Sequence, residues 1–87
     1  MTESVSWEDI TMSLDGTKIA AIENTNIWVS YDSGDTWTEE NSSVSSQTWN
    51  KIKISNNGNI LTAISDNWIY KSEADSSGEF TTWGRIK

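Results

Sequence analysis

The chain repeats itself, and that repetition constrains its fold more than any other feature. Trp7-x-x-Ile10 returns as Trp49-x-x-Ile52, 42 positions later. At the same offset Ser13 matches Ser55, Gly16 matches Gly58, Ala21-Ile22 matches Ala63-Ile64, Ile27 matches Ile69 and Ser30 matches Ser72. The second copy then gains four residues, so Trp37 pairs with Trp83. A unit of this length occurring twice in 87 residues is one supersecondary block stacked on its own copy.

Each copy reads as four short strands. The first predicts Val5–Ser13, Lys18–Glu23, Ile27–Tyr31 and Asp35–Glu40; the second predicts Trp49–Ser55, Ile60–Ser65, Trp68–Ser72 and Phe80–Ile86. Asp15-Gly16 and Asn57-Gly58 are strong hairpin signals, because glycine accepts positive φ at little cost. Asn24-Thr25-Asn26 and Asp32-Ser33-Gly34 mark further turns. Isoleucine, tryptophan and threonine dominate the runs between them, as suits strands, and no segment has a helical period. The expected class is therefore all-β. A four-stranded antiparallel meander recurring every forty-odd residues is the pattern of a β-propeller blade. Blade 1 is expected over residues 1–41, an inter-blade loop over 42–48, and blade 2 over 49–87.

The segment Ser30-Tyr31-Asp32-Ser33-Gly34-Asp35-Thr36-Trp37 resembles the Asp-box motif, or BNR repeat, Ser-x-Asp-x-Gly-x-Thr-Trp, at every defined position. In the second copy Ser72, Asp75, Gly78, Thr82 and Trp83 keep the motif's elements, while insertions break its spacing. The resemblance covers nearly the whole chain and implies an Asp-box β-propeller made of two-blade subunits. In that family the motif joins the third and fourth strands of a blade, and its residues are structural. Elementary chemistry agrees. A carboxylate such as that of Asp32 accepts backbone N–H groups two or more residues on, Gly34 permits positive φ, and Trp37 anchors the turn by burying its ring. Asp32 therefore reads as a turn-former, ahead of a catalytic or calcium-binding role.

Composition excludes several functions. The net charge is −7, with neither cysteine nor histidine. Disulfides, thiolate catalysis and the commonest metal ligand and general base are absent, so no metal and no cofactor is expected. Nucleic acid and anionic membranes call for basic patches, and neither is an expected partner. The opening MTESVSWEDITMS has no basic and apolar leader pattern, and no apolar run approaches a bilayer span. A soluble protein without a secretory signal is expected, of unknown localisation. Catalysis is not expected either. Sialidases that share the Asp box use an arginine triad with acidic and tyrosine residues, whereas Arg85 is the single arginine here. Glu8 and Asp9 are adjacent in a strand and face apart, which disfavours a glycosidase pair.

Two blades leave two outer faces bare, and propellers close with about four to eight blades. The bare faces belong to different copies of the repeat, so the contact is head-to-tail. A homotrimer forming a six-bladed ring is favoured, a tetramer of eight blades comes second, and a fragment of a longer propeller third. Glu8-Asp9 correspond to Asn50-Lys51, and Thr11 to Lys53. In an assembled ring these positions either alternate acidic and basic around a central channel or are plain solvated charges worth little.

Most tryptophans have aromatic equivalents in the other copy and read as packing. Trp68 does not, because its counterpart is Asn26. It either fills a gap between blades or stacks on a sugar ring, with Asp66 and Asn67 beside it and Asn24 and Asn26 in the equivalent turn. The expected function is a self-assembling, lectin-like carbohydrate-binding module. The alternative is a structural or interaction scaffold without a small-molecule ligand.

Overall fold

The computed structural model describes residues 6–40 and 47–87, and among these every regular element is a strand. Blade 1 comprises β1 (Trp7–Met12), β2 (Ile19–Glu23), β3 (Ile27–Ser30) and β4 (Thr38–Glu39). Blade 2 comprises β5 (Trp49–Ile54), β6 (Ile60–Ser65), β7 (Ile69–Glu73) and β8 (Trp83–Arg85). Each blade is a four-stranded antiparallel sheet whose spatial order follows the chain. The duplication extends to register. Ile10 faces Ala21 and Ala21 faces Trp28, just as Ile52 faces Ala63 and Ala63 faces Tyr70. Both first strands carry the same irregularity, between Trp7 and Asp9 and between Trp49 and Lys51. The glycines closing the first hairpins, Gly16 and Gly58, share a φ of 76°.

The fourth strands are shorter than the sequence predicts. Asp35 and Thr36 donate their N–H groups back to Asp32, so β4 begins only at Thr38. In blade 2 the Phe80 N–H donates to the Tyr31 hydroxyl oxygen of blade 1 at 2.9 Å, and the ladder begins at Trp83. Backbone N–H groups satisfied by a turn or a neighbouring blade are lost to the sheet. The predicted start of the first strand at Val5, and most of the predicted loop 42–48, lie outside the described residues.

Alternation along each strand sends side chains to opposite faces. One face of blade 1, with Ala20, Ile22, Ile27 and Val29, packs on the face of blade 2 that carries Trp49, Ile52, Ile54, Leu61, Ala63 and Trp83. All ten are buried, and β5 runs against β1 and β2. At 20–33 cal/mol per Å² of apolar surface, a fully buried side chain of this kind contributes about 1.5–3 kcal/mol. Polar groups stitch the same seam. Ile52 N–H donates to the Asp9 carboxylate at 2.9 Å and Ile54 N–H to the Thr11 hydroxyl at 3.2 Å. The expectation that positions 9 and 11 line a central channel is thus corrected. Their side chains turn into the seam, where the open edge of β5 has N–H groups that need acceptors.

Away from the first strands, the Trp83 indole N–H donates to the Glu40 carbonyl at 2.8 Å, and the Tyr31 hydroxyl donates to the Glu40 carboxylate at 2.6 Å. Lys18 reaches from blade 1 to the Gly58 carbonyl at 2.8 Å, its ammonium 5.2 Å from the Phe80 ring centre.

Candidate functional site

Among the described residues, polar or aromatic chemistry gathers at the turns before the fourth strands, in a cleft at the turns between second and third strands, and on the bare face of blade 1.

In the first copy of the motif the Asp32 carboxylate accepts the Ser30 hydroxyl at 2.8 Å, the Thr36 N–H at 2.8 Å and the Thr36 hydroxyl at 2.6 Å. Gly34 N–H donates to the Ser30 hydroxyl, and the Trp37 indole donates to the Gly34 carbonyl at 3.0 Å. Gly34 has a φ of 99°, a conformation that L side chains rarely adopt. The Thr36 hydroxyl and N–H, then the Ser30 hydroxyl, hold the Asp32 pKa down to about 2. An ionised carboxylate whose acceptor capacity is spent on its own turn is a structural group. Among the described residues no group of three or more His, Cys, Asp or Glu is placed to hold a metal ion.

The second copy keeps the geometry with different residues. Asp75 accepts the N–H groups of Ser77 and Glu79 at 2.8 and 3.0 Å and the Thr81 hydroxyl at 3.1 Å, while Gly78 has a φ of 80°. The threonine role therefore falls on Thr81, not on Thr82, whose carbonyl accepts the Ser72 hydroxyl at 2.6 Å. Trp83 likewise serves the seam at Glu40, where Trp37 serves its own turn. The longer loop shifts which side chain reaches the carboxylate.

The predicted first hairpin turns are capped in the same way, by side-chain bonds that the sequence reading did not assign. Asp15 accepts the Ser13 hydroxyl, the Thr17 N–H and the Thr17 hydroxyl at 2.8–3.0 Å, and Asn57 accepts the Ser55 hydroxyl and the Asn59 N–H. The signal was present as Ser-x-Asx-Gly in both copies.

At the opposite turns, Asp66, Asn67 and Trp68 line a cleft of about 260 Å³ together with Thr25, Gln47 and Thr48. The tight β6–β7 turn, closed by Ser65 N–H on the Trp68 carbonyl, puts these three side chains at the rim. The cleft thus joins the turns of both blades. Asn24 and Asn26, predicted to belong to it, do not line it. The Asn24 carbonyl accepts the Trp49 N–H at 2.9 Å, and the Asn26 amide donates to Glu23 at 3.1 Å. Their central neighbour Thr25 reaches the cleft instead. Asp66 accepts the Asn50 amide at 2.8 Å, which fixes its carboxylate. Trp68 is 38% exposed and so does not fill a gap between the blades. The Arg85 guanidinium lies 4.0 Å from its ring centre, a contact that the sequence separation had concealed.

The third place is apolar. Trp7, Glu8, Asp9, Ile10, Ala21 and Trp37 line a hollow of about 510 Å³ on the face of blade 1 turned away from blade 2.

No family profile matches the chain, and no curated protein matches it. Among solved structures, a GH74 enzyme of Niastella koreensis superposes on 97% of this chain with a TM-score of 0.72. The fold is propeller-like. Sequence identity over the match is 21%, and the chain spans 12% of the enzyme's length, so the likeness concerns the fold alone. Among the described residues no helix is long and apolar enough to cross a membrane.

Proposed function

We propose that the chain is a carbohydrate-binding module, built of two propeller blades and multiplied by assembly with copies of itself. The cleft at the β6–β7 turn carries this reading, because it sets a partly exposed tryptophan among fixed hydrogen-bonding groups. A pyranose offers an apolar C–H face to an indole and a ring of hydroxyls to amides, hydroxyls and carboxylates. Asp66, held by Asn50, is an acceptor in place before a ligand arrives; Asn67 and Thr25 supply both donors and acceptors. A hollow of about 260 Å³ lies just below the usual range for small-molecule sites and suits roughly one sugar ring. Such a site is weak alone, and three in a trimer, the favoured assembly, or four in a tetramer would act by avidity. Binding is preferred to catalysis, since among the described residues Asp66 is the single carboxylate lining the cleft.

A specific observation favours a second reading. Arg85 already stacks on Trp68, which is how a scaffold without a ligand would satisfy that ring. The two readings separate in a glycan-array screen followed by titration of the best hit against Trp68→Ala and Arg85→Ala. On the binding reading Trp68→Ala weakens affinity by about tenfold or more, while Arg85→Ala retains it. Absence of any glycan signal for the assembled protein would leave the scaffold.

A further inference from the structure

The chain contains a filled seam and an empty half of the same seam. Trp49, Ile52 and Ile54 are 1%, 5% and 1% exposed beneath blade 1, whereas their repeat equivalents Trp7, Ile10 and Met12 are 42%, 62% and 54% exposed. The residues lining the 510 Å³ hollow correspond to Trp49, Asn50, Lys51, Ile52, Ala63 and Trp83, most of which the internal seam buries. What covers that face inside the chain is the opposite face of a blade. The opposite face of blade 1 is already in use, so the face that remains to cover the hollow is that of blade 2 on another copy.

The two bare faces also differ in charge. By register Glu39 shares the face of Ile10, Ala21 and Trp28, and Glu8 lines the hollow. On blade 2 the outward face carries Lys51, Lys53 and Lys71 around Thr62, Ile64 and Ile69, with Glu73 opposite Ile60 at its edge as the one acid among them. Lys51 and Lys53 stand where Asp9 and Thr11 stand in blade 1, so this second seam replaces hydrogen-bond acceptors with cations. We infer that the bare face of blade 1 is the docking surface for blade 2 of a second copy of this chain, with Lys51, Lys53 and Lys71 lying over the Trp7–Ile10–Trp37 hollow and reaching Glu8 and Glu39. The aliphatic stems cover the apolar floor while the ammoniums meet the acidic rim. Lys71 pairs with Glu73 at 3.1 Å on an open surface, a weak pair that is readily exchanged. Like faces repel, acidic on acidic and basic on basic, so the charges select head-to-tail stacking over the two symmetric alternatives.

This rests on the self-assembly part of the proposed function and is independent of the sugar. Sedimentation of the full chain over a dilution series, at about 0.05 M and about 0.5 M salt, tests it. The expected result is an oligomer whose dissociation midpoint moves up about tenfold or more in high salt, and by a similar factor in Lys51→Glu/Lys53→Glu. A chain carrying Glu8→Lys, Glu39→Lys, Lys51→Glu and Lys53→Glu together should regain assembly, because both faces have exchanged sign. All four side chains are exposed or at the rim, and near-UV circular dichroism reports that each variant keeps its fold. A chain monomeric at every dilution overturns both this inference and the assembly reading. An oligomer indifferent to salt and to both charge variants overturns the charged seam and leaves assembly standing.

Discussion

Trp49 and Trp83 are both buried, yet they meet the polarity of the indole differently. The Trp83 indole N–H donates to the Glu40 carbonyl, whereas the Trp49 indole N–H is buried with no partner among the described residues. Replacing either by phenylalanine removes the same volume, so the difference between the two variants isolates the hydrogen bond. Trp83→Phe strands a buried carbonyl and Trp49→Phe relieves a buried donor. Chemical denaturation should find Trp83→Phe the more destabilised by about 1–3 kcal/mol. Glu40 beside it shows the opposite imbalance. Burial raises its pKa above the ordinary 4.5, against the lowering effect of the Tyr31 hydroxyl, and burial with the Glu40 contact pushes the Tyr31 phenol far above its usual range. A raised carboxyl pKa means that the folded chain binds the proton more tightly. Its contribution is present at low pH and lost as pH rises from about 4.5 through the raised value. Glu40→Gln keeps an acceptor for Tyr31 and should remove that slope, gaining stability relative to wild type between pH 4 and 7 in thermal melts.

The turns carry the logic of the elements. Ser-x-Asp and Ser-x-Asn sequences close hairpins in both blades, and each carboxylate or amide gathers N–H groups that would otherwise lack partners. For Asp32 this depresses the pKa from 3.8 to about 2, the reverse of the Glu40 case. Its support is present above pH 3.8 and lost as pH falls through about 2. Asp32→Ala should therefore melt at a lower temperature than wild type at pH 7, and the gap should close on acidification towards pH 2. The strands themselves were legible to within a few residues, because alternation and Asx-Gly turns are local signals. The fourth strands were overdrawn because their first N–H groups go to Asp32 and Tyr31, partners that alternation does not reveal.

At the scale of the molecule, two stacked sheets satisfy one seam and leave another open. If a second copy covers the hollow on blade 1, Trp7 and Trp37 pass from water to protein on association. Tryptophan emission should then shift to shorter wavelength as concentration rises through the dissociation midpoint, and a Trp7→Phe/Trp37→Phe variant should lose most of that shift. The candidate sugar cleft belongs to this scale too. Trp68 stood out in the sequence as the unmatched tryptophan, with Asp66 and Asn67 beside it, but their companions Thr25, Gln47 and Thr48 are gathered only by stacking one blade on the other.

The sequence by itself determined the duplication, which is a match between its two halves, and the strands, the tight turns and the Asp32 loop, which depend on residues a few positions apart. Tertiary structure decided which tryptophan of each equivalent pair is buried, that Asp9 and Thr11 cap the edge of β5, and that Arg85 lies on Trp68. The physical reason is one of range. Alternation says that a strand has two faces, but which face is covered depends on the stacking of sheets whose contacts lie some forty residues apart along the chain.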